Sequence, residues 1–153
     1  MKNKILLIVL GIVLVVNILN IVSAVSITNV ISSPAEIIPG QIADVSIEVE
    51  NIFDYDVKNI RLKLDLTESP FAPYQSSSEK FLDELNDGDE EDFNFKLIVL
   101  PDTQSGIYKI PIQIMYSDNN GTNITKNEVI SLIVNSKPEL KISIEDSVII
   151  KGD

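Results

Sequence analysis

GIYKIPIQIMYSDNNGTNITKNEVISLIV, residues 106–134, is the stretch that decides the fold. Two runs rich in β-branched and aromatic residues flank a polar tip, Asp118-Asn119-Asn120-Gly121. Because runs of this composition separated by a short turn signal form hairpins, the stretch predicts two long antiparallel strands.

The apolar residues of this hairpin also predict its register. One face of the first strand is apolar: Tyr108, Ile110, Ile112, Ile114 and Tyr116. One face of the second strand is apolar too: Ile130, Leu132 and Val134. The residue numbers of opposed residues in an antiparallel pair add up to a constant. A two-residue Asn120-Gly121 turn would give 241 and misalign the apolar sets, whereas 240 or 242 aligns them. We therefore predict a three- or five-residue loop with Gly121 in the left-handed region.

Two residues of the first strand carry further predictions. Pro111 lacks an N–H, so the strand is expected to be an edge or to be bulged there. Tyr108, two residues after Gly106, resembles the tyrosine corner of immunoglobulin-like domains. An ordinary half-buried strand tyrosine explains the same residue equally well.

Short alternating runs separated by turn residues precede the hairpin. The predicted strands are 26–31, 43–50, 57–66 and 93–99, while 79–85 suits a short strand or a helical turn and 69–78 has loop composition. Seven or eight strands, with no convincing helix after residues 1–24, predict an all-β fold. The expected architecture is an antiparallel immunoglobulin-like β-sandwich over residues 25–137. Each strand has one apolar face, so two sheets must pack those faces together.

Residues 1–24 differ from everything that follows. Lys2 and Lys4 precede an almost unbroken apolar run, Ile5 to Val22, and Val22-Ser23-Ala24 suits a signal peptidase. This pattern predicts a cleaved signal peptide, with an uncleaved hydrophobic leader helix as N-terminal membrane anchor as the alternative. Both place the remaining chain outside the cytoplasm, at the cell surface or in the extracellular space, with membrane contact only through the N-terminal segment.

Residues 138–153 are predicted to be a linker followed by the truncated start of a second repeat. Ser147–Asp153 echoes Pro34–Gln41, since both contain an Ile-Ile pair, one further residue and then Gly. Leu140, Ile142 and Ile144 alternate as in a strand.

The composition excludes several kinds of chemistry. The chain has no cysteine, histidine or tryptophan, which removes disulfides, thiolate metal sites and the usual neutral-pH general base. With 12 basic and 23 acidic residues its formal charge is −11, and without the two leader lysines it is near −13. An acidic chain argues against nucleic acid or anionic lipid as a partner, because phosphate recognition needs clustered Lys and Arg.

Residues 83–92 (DELNDGDEED) are the strongest candidate for a metal site. They contain seven acids, and calcium takes six to eight oxygen ligands. EF-hand spacing is absent, so a solvated acidic turn is favoured over a calcium loop. A glycosidase needs two acids converging in a cleft, whereas here the acids fall in turns or on outward strand positions. We therefore expect no catalytic, cofactor-binding or metal-ligating residue.

The hairpin tip carries two acceptor patterns for N-linked glycan. Asn120-Gly121-Thr122 and Asn123-Ile124-Thr125 both satisfy N-x-[ST] without a central proline. Because the chain is predicted to be exported, Asn120 and Asn123 are candidate glycosylation sites.

Scattered turn and core residues resemble those of a known class of surface modules. The features are an N-terminal signal, Pro34-x-x-Ile37-x-Pro39-Gly40, Val49-x-Asn51, Asp56-Val57-Lys58-Asn59, an acidic Leu-Asn-Asp-Gly turn, Pro101, and Gly106-x-Tyr108 leading to Tyr116-x-Asp118. Over about residues 27–134 the chain resembles the Ig-like sandwich repeats of archaeal S-layer-like surface proteins. It is also similar to the cell-adhesion-related domain of bacteria and to the NEW3 module.

The resemblance implies an exported cell-envelope module with a structural or adhesion role, no catalytic activity and no cofactor. Its expected partners are other cell-envelope proteins or surface polysaccharide. The alternative function is a carbohydrate-binding accessory module, for which Tyr55 and Tyr74 are the aromatic residues in loops. A secreted hydrolase would require buried, converging acids.

Overall fold

The computed structural model describes residues 25–136, and every regular element in this range is a β-strand. The strands are β1 (Val25–Ser33), β2 (Glu36–Ile37), β3 (Ile42–Asn51), β4 (Val57–Leu64), β5 (Phe71–Pro73), β6 (Glu79–Leu85), β7 (Glu90–Val99), β8 (Gly106–Ser117) and β9 (Asn123–Val134). The leader helix predicted for 1–24 and the linker and second repeat predicted for 138–153 lie outside the described residues. Within 25–136 no helix is long and apolar enough to cross a bilayer.

Two sheets pack face to face as a β-sandwich. One has four strands in the order β1-β3-β7-β5, and the other has five in the order β2-β9-β8-β4-β6. All pairs are antiparallel except the short parallel pair of β2 and β9. The first order corresponds to strands A, B, E and D of an immunoglobulin-like sandwich, and β9-β8-β4 corresponds to G, F and C. One connection departs from that scheme. β6 lies beside β4 in the position of strand C′, which would normally come before strand D, but here β5, in the position of strand D, comes first along the chain.

Period-two alternation explains the core between the sheets. Side chains of β3 alternate between buried and exposed, as the sequence predicts, because successive residues of a strand point to opposite faces. The largest fully buried side chains come from both sheets: Phe95, Ile37, Ile47, Ile60, Leu62, Leu64, Leu97, Ile110, Ile112, Ile114, Leu132 and Val25. Burial of each such side chain stabilises the fold by about 1.5–3 kcal/mol.

The hairpin of β8 and β9 has the register that the apolar pattern predicts. Ile110 lies opposite Ile130, and the residue numbers of every opposed pair from Gly106–Val134 to Ser117–Asn123 add up to 240. Five residues separate the two strands, and Gly121 has a φ of 77°. The prediction of a three- or five-residue loop with Gly121 in the left-handed region is confirmed.

Pro111 lies in a different setting from the one predicted. β8 is an interior strand of its sheet, and its pairing with β9 runs past Pro111 without a bulge. The neighbour on the other side, β4, ends at Leu64 opposite Ile112, and the Asp65 N–H donates to the Pro111 carbonyl at 2.9 Å. The missing N–H of Pro111 is tolerated because it faces the place where β4 has already ended.

The described chain contains nine strands where seven or eight were predicted. The two additions are β2, with two residues, and β5, with three residues inside the 69–78 stretch that has loop composition. Segments this short contain no alternation to detect, although Phe71 of β5 is buried. The ambiguous stretch 79–85 is a strand and not a helical turn.

Candidate binding surface

Asn51, at the end of β3, joins two loops at one end of the sandwich. Its buried side chain donates from Nδ2 to the carbonyls of Tyr55, Leu85 and Asn86 at 2.9, 3.1 and 2.9 Å, and its Oδ1 accepts the Phe53 N–H at 3.1 Å. A buried amide that satisfies several backbone groups fixes their positions. Sequence reasoning placed Asn51 only within the Val-x-Asn pattern, which gave no indication of this role.

The acidic run 83–92 is divided between the two sheets. Asp83 and Glu84 belong to β6, the last three acids begin β7, and the turn between them is tied to β3 because the Gly88 N–H donates to the Asn51 carbonyl at 2.9 Å. Within residues 25–136, no three acidic side chains come together as a metal-binding group. The seven carboxylates are therefore distributed over β6, the turn and β7 instead of meeting at one point.

Asp118 organises the hairpin tip. Its Oδ1 accepts the N–H groups of Asn120 and Thr122 at 2.9 and 2.7 Å, and its carbonyl accepts the Gly121 N–H at 3.0 Å. A short carboxylate that satisfies nearby backbone donors is a common way of fixing a tight turn. Asp118 is therefore occupied with the turn itself.

Both predicted glycan acceptors are exposed. Asn120 lies in the turn, and Asn123 begins β9, where its Oδ1 accepts the Ser117 hydroxyl at 2.9 Å. The threonines of the two acceptor patterns, Thr122 and Thr125, are exposed as well. The amide nitrogen to which a sugar would be attached is used by no hydrogen bond within the described residues at either asparagine.

An aromatic cluster lies beside the tip. The rings of Phe53 and Tyr55 stack with their centroids 4.6 Å apart, and Tyr116 lies 6.1 Å from Phe53. Burial raises the pKa of Tyr116, opposed by a backbone hydrogen bond from Val25. The packing of Tyr55 against Phe53 occupies one face of the ring that was a candidate sugar platform.

The outer face of the five-stranded sheet exposes apolar side chains in cross-strand pairs. Ile107, which is 70% exposed, lies opposite Ile133, and Val129, which is 58% exposed, lies opposite Pro111. We call these four residues the apolar stripe. The exposed pair of Lys109 and Ser131 lies between them on the same face, so the apolar stripe consists of two apolar pairs separated by one polar pair. Exposed apolar groups that cluster on one face are a usual feature of an interaction surface.

A shallow groove of about 500 Å³ continues this face towards β6. Phe81, which is 54% exposed, lies opposite Arg61, and Asn59, Asn123 and Thr125 supply polar groups around them. Sequence reasoning missed Phe81 because its strand was ambiguous, and the face to which it points follows only from its pairing with β4.

A second groove, of about 650 Å³, lies where β4 ends. Lys63, Asp65, Gln113 and Asn127 are among its polar residues. Hydrogen bonds from Thr67 lower the pKa of the exposed Asp65 carboxyl, with a further contribution from the Lys63 charge. The groove therefore presents a carboxylate and an amine side by side.

The outer face of the four-stranded sheet is acidic. Glu48 lies opposite Asp92, and Glu50 lies opposite Glu90. Like charges that face each other across a ladder repel. This face favours cations or a basic partner over an anion.

The described part of the chain has few buried polar residues, namely Asn51 and Ser117. The Ser117 hydroxyl contacts Asn59 and Asn123, and the Asn51 amide contacts backbone, so both groups hold loops and strands in place. The exposed faces and grooves are left as the surfaces on which a partner or ligand could be held.

The sequence matches no protein-family model and no curated protein. Among solved structures, it is similar to AvmM, which catalyses macrocyclization in alchivemycin A biosynthesis, with 14% identity, a TM-score of 0.54, and coverage of 76% of this chain and 92% of AvmM. It is also similar to part of native α2-macroglobulin from Escherichia coli, with 18% identity and a TM-score of 0.52 over 71% of this chain. The match spans 17% of that macroglobulin fragment. At these identities the likeness shows that the β-sandwich fold is shared.

Proposed function

We propose that this chain is an exported, immunoglobulin-like module of the cell envelope, with a structural or adhesion role and no catalytic activity. It is delivered by the apolar segment that begins after Lys4, either as a cleaved signal or as an anchor. Its partners are other envelope proteins or surface polysaccharide. The likeness in sequence to S-layer-like repeats supports the same proposal.

The observation that carries the proposal is the apolar stripe. Ile107 and Val129 expose more than half of their surface on a regular strand pair of an otherwise strongly acidic chain. Exposed apolar pairs across two strands stabilise the monomer by at most about 1 kcal/mol each, and burying them against a partner is favourable by about 25 cal/mol per Å². A structural or adhesion module needs a surface of this kind.

Fractionation of the native cells tests the proposal. The expected result is recovery of the full chain in the envelope fraction, with loss of the envelope components that co-purify with it from detergent extracts when Ile107→Glu and Val129→Glu are combined. Ile52→Glu is the matched control, because Ile52 is half exposed in a loop away from the stripe. Recovery of the wild-type chain from the cytoplasm would contradict export, and unchanged co-purification with the double variant would contradict a role for the stripe.

The second candidate is a carbohydrate-binding accessory module, and the exposed ring of Phe81 favours it. Sugars stack on exposed aromatic rings and accept hydrogen bonds from guanidinium groups, and Phe81 with Arg61 offers both in one groove. Phe81→Ala should abolish co-sedimentation with purified envelope polysaccharide, whereas Leu100→Ala, another exposed apolar position, should not. If the wild-type protein does not sediment with polysaccharide, this candidate is wrong.

A further inference from the structure

β9 presents a long open strand edge. One side of β9 pairs with β8 along its whole length. On the other side, the strand that pairs with it in residues 25–136 is β2, and only at Ile133 and Val134. Residues 123–131 therefore have an edge with no neighbouring strand in the described part of the sandwich.

The hydrogen-bonding phase of β8 and β9 shows which backbone groups face this edge. The Pro111 carbonyl accepts from Asp65, so it points towards β4 and away from β9. The opposed residue, Val129, must then point its own N–H and C=O to the open side, because both groups of such a pair point outward. Because the direction of the backbone groups alternates along a strand, the N–H and C=O of every second residue of the open stretch point to the open side. These residues are Asn123, Thr125, Asn127, Val129 and Ser131.

This edge has one of the features that usually prevent strand addition and lacks the others. Exposed edges are normally protected by charged side chains, proline, bulges or very short strands, and here the charges are Lys126 and Glu128, which lie on the same face as buried Ile130. The open stretch of β9 contains no proline, and its register with β8 is free of bulges. Five outward N–H groups and five outward C=O groups thus form a regular template for one more strand.

We propose that the occupant of this edge is β9 of a second copy, paired antiparallel about a two-fold axis at Asn127. In that register the residue numbers of opposed residues add up to 254. Thr125 then lies opposite Val129 and Ile124 lies opposite Ile130, which are β-branched pairs that favour strand pairing. The two five-stranded sheets become one continuous sheet with a closed, isologous interface.

Charge complementarity selects this register. Lys126 of one copy lies opposite Glu128 of the other, twice, because the interface is two-fold. Both side chains are partly exposed, at 30% and 36%, and they already form an ion pair at 2.9 Å within one copy. A slip by one pair of residues either way sets Lys126 against Lys126 or Glu128 against Glu128, and like charges directly opposed are unfavourable.

Molar mass in solution tests the pairing. The full chain, recovered from the native envelope or medium, should have twice the monomer mass by light scattering at high protein concentration and the monomer mass on dilution. Lys126→Glu and Glu128→Lys should each shift the protein to the monomer mass, and the double exchange should restore the dimer. Exchange of the Asp44–Lys96 ion pair, on interior strands, is the matched control and should leave the mass unchanged. A monomer at every concentration would overturn the proposal, as would a dimer that the single variants do not weaken.

A disulfide across the two-fold axis tests the register. The native chain has no cysteine, so Asn127→Cys introduces one thiol per copy. Opposed Cα atoms in such a pair are about 5.5 Å apart, which a disulfide can span. Oxidation should yield a covalent dimer, whereas Gln113→Cys on the interior strand β8 should stay monomeric. Slow hydrogen exchange at the Val129 amide that does not depend on concentration would show that a segment of the same chain covers the edge, and would overturn the proposal.

Discussion

Tyr108 donates a hydrogen bond from its hydroxyl to the backbone carbonyl of Gln104 at 2.8 Å. The bond links the start of β8 to the loop that follows β7, and so connects the two sheets. The ring also meets Phe71 edge-on, with centroids 6.1 Å apart. A strand tyrosine that bonds to backbone a few residues upstream is the tyrosine corner of immunoglobulin-like sandwiches, so of the two interpretations of Tyr108 the corner is correct.

The Tyr108→Phe variant should lower the free energy of unfolding by about 1 kcal/mol, because it removes one hydrogen bond and keeps the ring packing. Urea denaturation followed by circular dichroism measures the change. Tyr74→Phe, on an irregular segment after β5, is the matched control and should change the midpoint little. Equal stability of wild type and Tyr108→Phe would show that the corner bond makes no net contribution.

Asn51→Ala should cost far more, roughly 3 kcal/mol, because it leaves buried carbonyls at one end of the sandwich without a donor. Thermal unfolding of the variant measures this loss. Asn94→Ala, at an exposed position of β7, is the control and should lie within about 0.5 kcal/mol of wild type. A loss below about 1 kcal/mol for Asn51→Ala would mean that water replaces the amide.

The sheet faces could be predicted from the sequence because alternation is a local property. Ile47 and Ile112 are buried where period two places them, and matching the apolar faces was enough to fix the β8–β9 register. β5 escaped detection because three residues contain no period. The place of Pro111 could not be predicted, since it depends on where β4 ends, and β4 is about fifty residues distant in the sequence.

The candidate binding surfaces could not be predicted from the sequence as well as the sheet faces could. Which strand edge stays open is decided by the length of β2, a two-residue strand that gives no pattern. The exposure of Phe81 depends on its pairing with Arg61, and the role of Asn51 depends on carbonyls from two separate loops. Each of these is a property of long-range contacts.

Gly121→Ala should lower the free energy of unfolding by roughly 1 kcal/mol, because its φ of 77° is unfavourable for a residue with a Cβ. Gly121→Asn should cost less, since asparagine tolerates the left-handed region. Gly106→Ala is the matched control: an added Cβ there meets the Tyr108 ring at an ordinary 3.7 Å. A loss from Gly106→Ala as large as that from Gly121→Ala would contradict this explanation.

Tyr116 should make stability fall at alkaline pH. Burial raises the pKa of Tyr116 above its ordinary value of 10.0, so the folded state holds this proton more tightly than the unfolded state does. The resulting stabilisation is present below pH 10.0 and is lost as pH rises through the folded-state pKa. Above that pH the free energy of unfolding of wild type should therefore fall relative to that of Tyr116→Phe, which has no ionisable group at this position. A difference that stays constant from neutral to strongly alkaline pH would contradict the shift.

Glycan at the hairpin tip should appear as added mass on the natively produced protein. Asn120 and Asn123 are both exposed, and each precedes an exposed threonine by two residues. Thr122→Ala and Thr125→Ala remove one acceptor pattern each while keeping both asparagines and the contact of Asn123 with Ser117. Each substitution should therefore remove one glycan from the intact mass, whereas Thr103→Ala, partly exposed but outside any acceptor pattern, should remove only the mass of the substitution itself. A wild-type mass equal to that of the polypeptide would show that exposure of the two asparagines is not sufficient for modification.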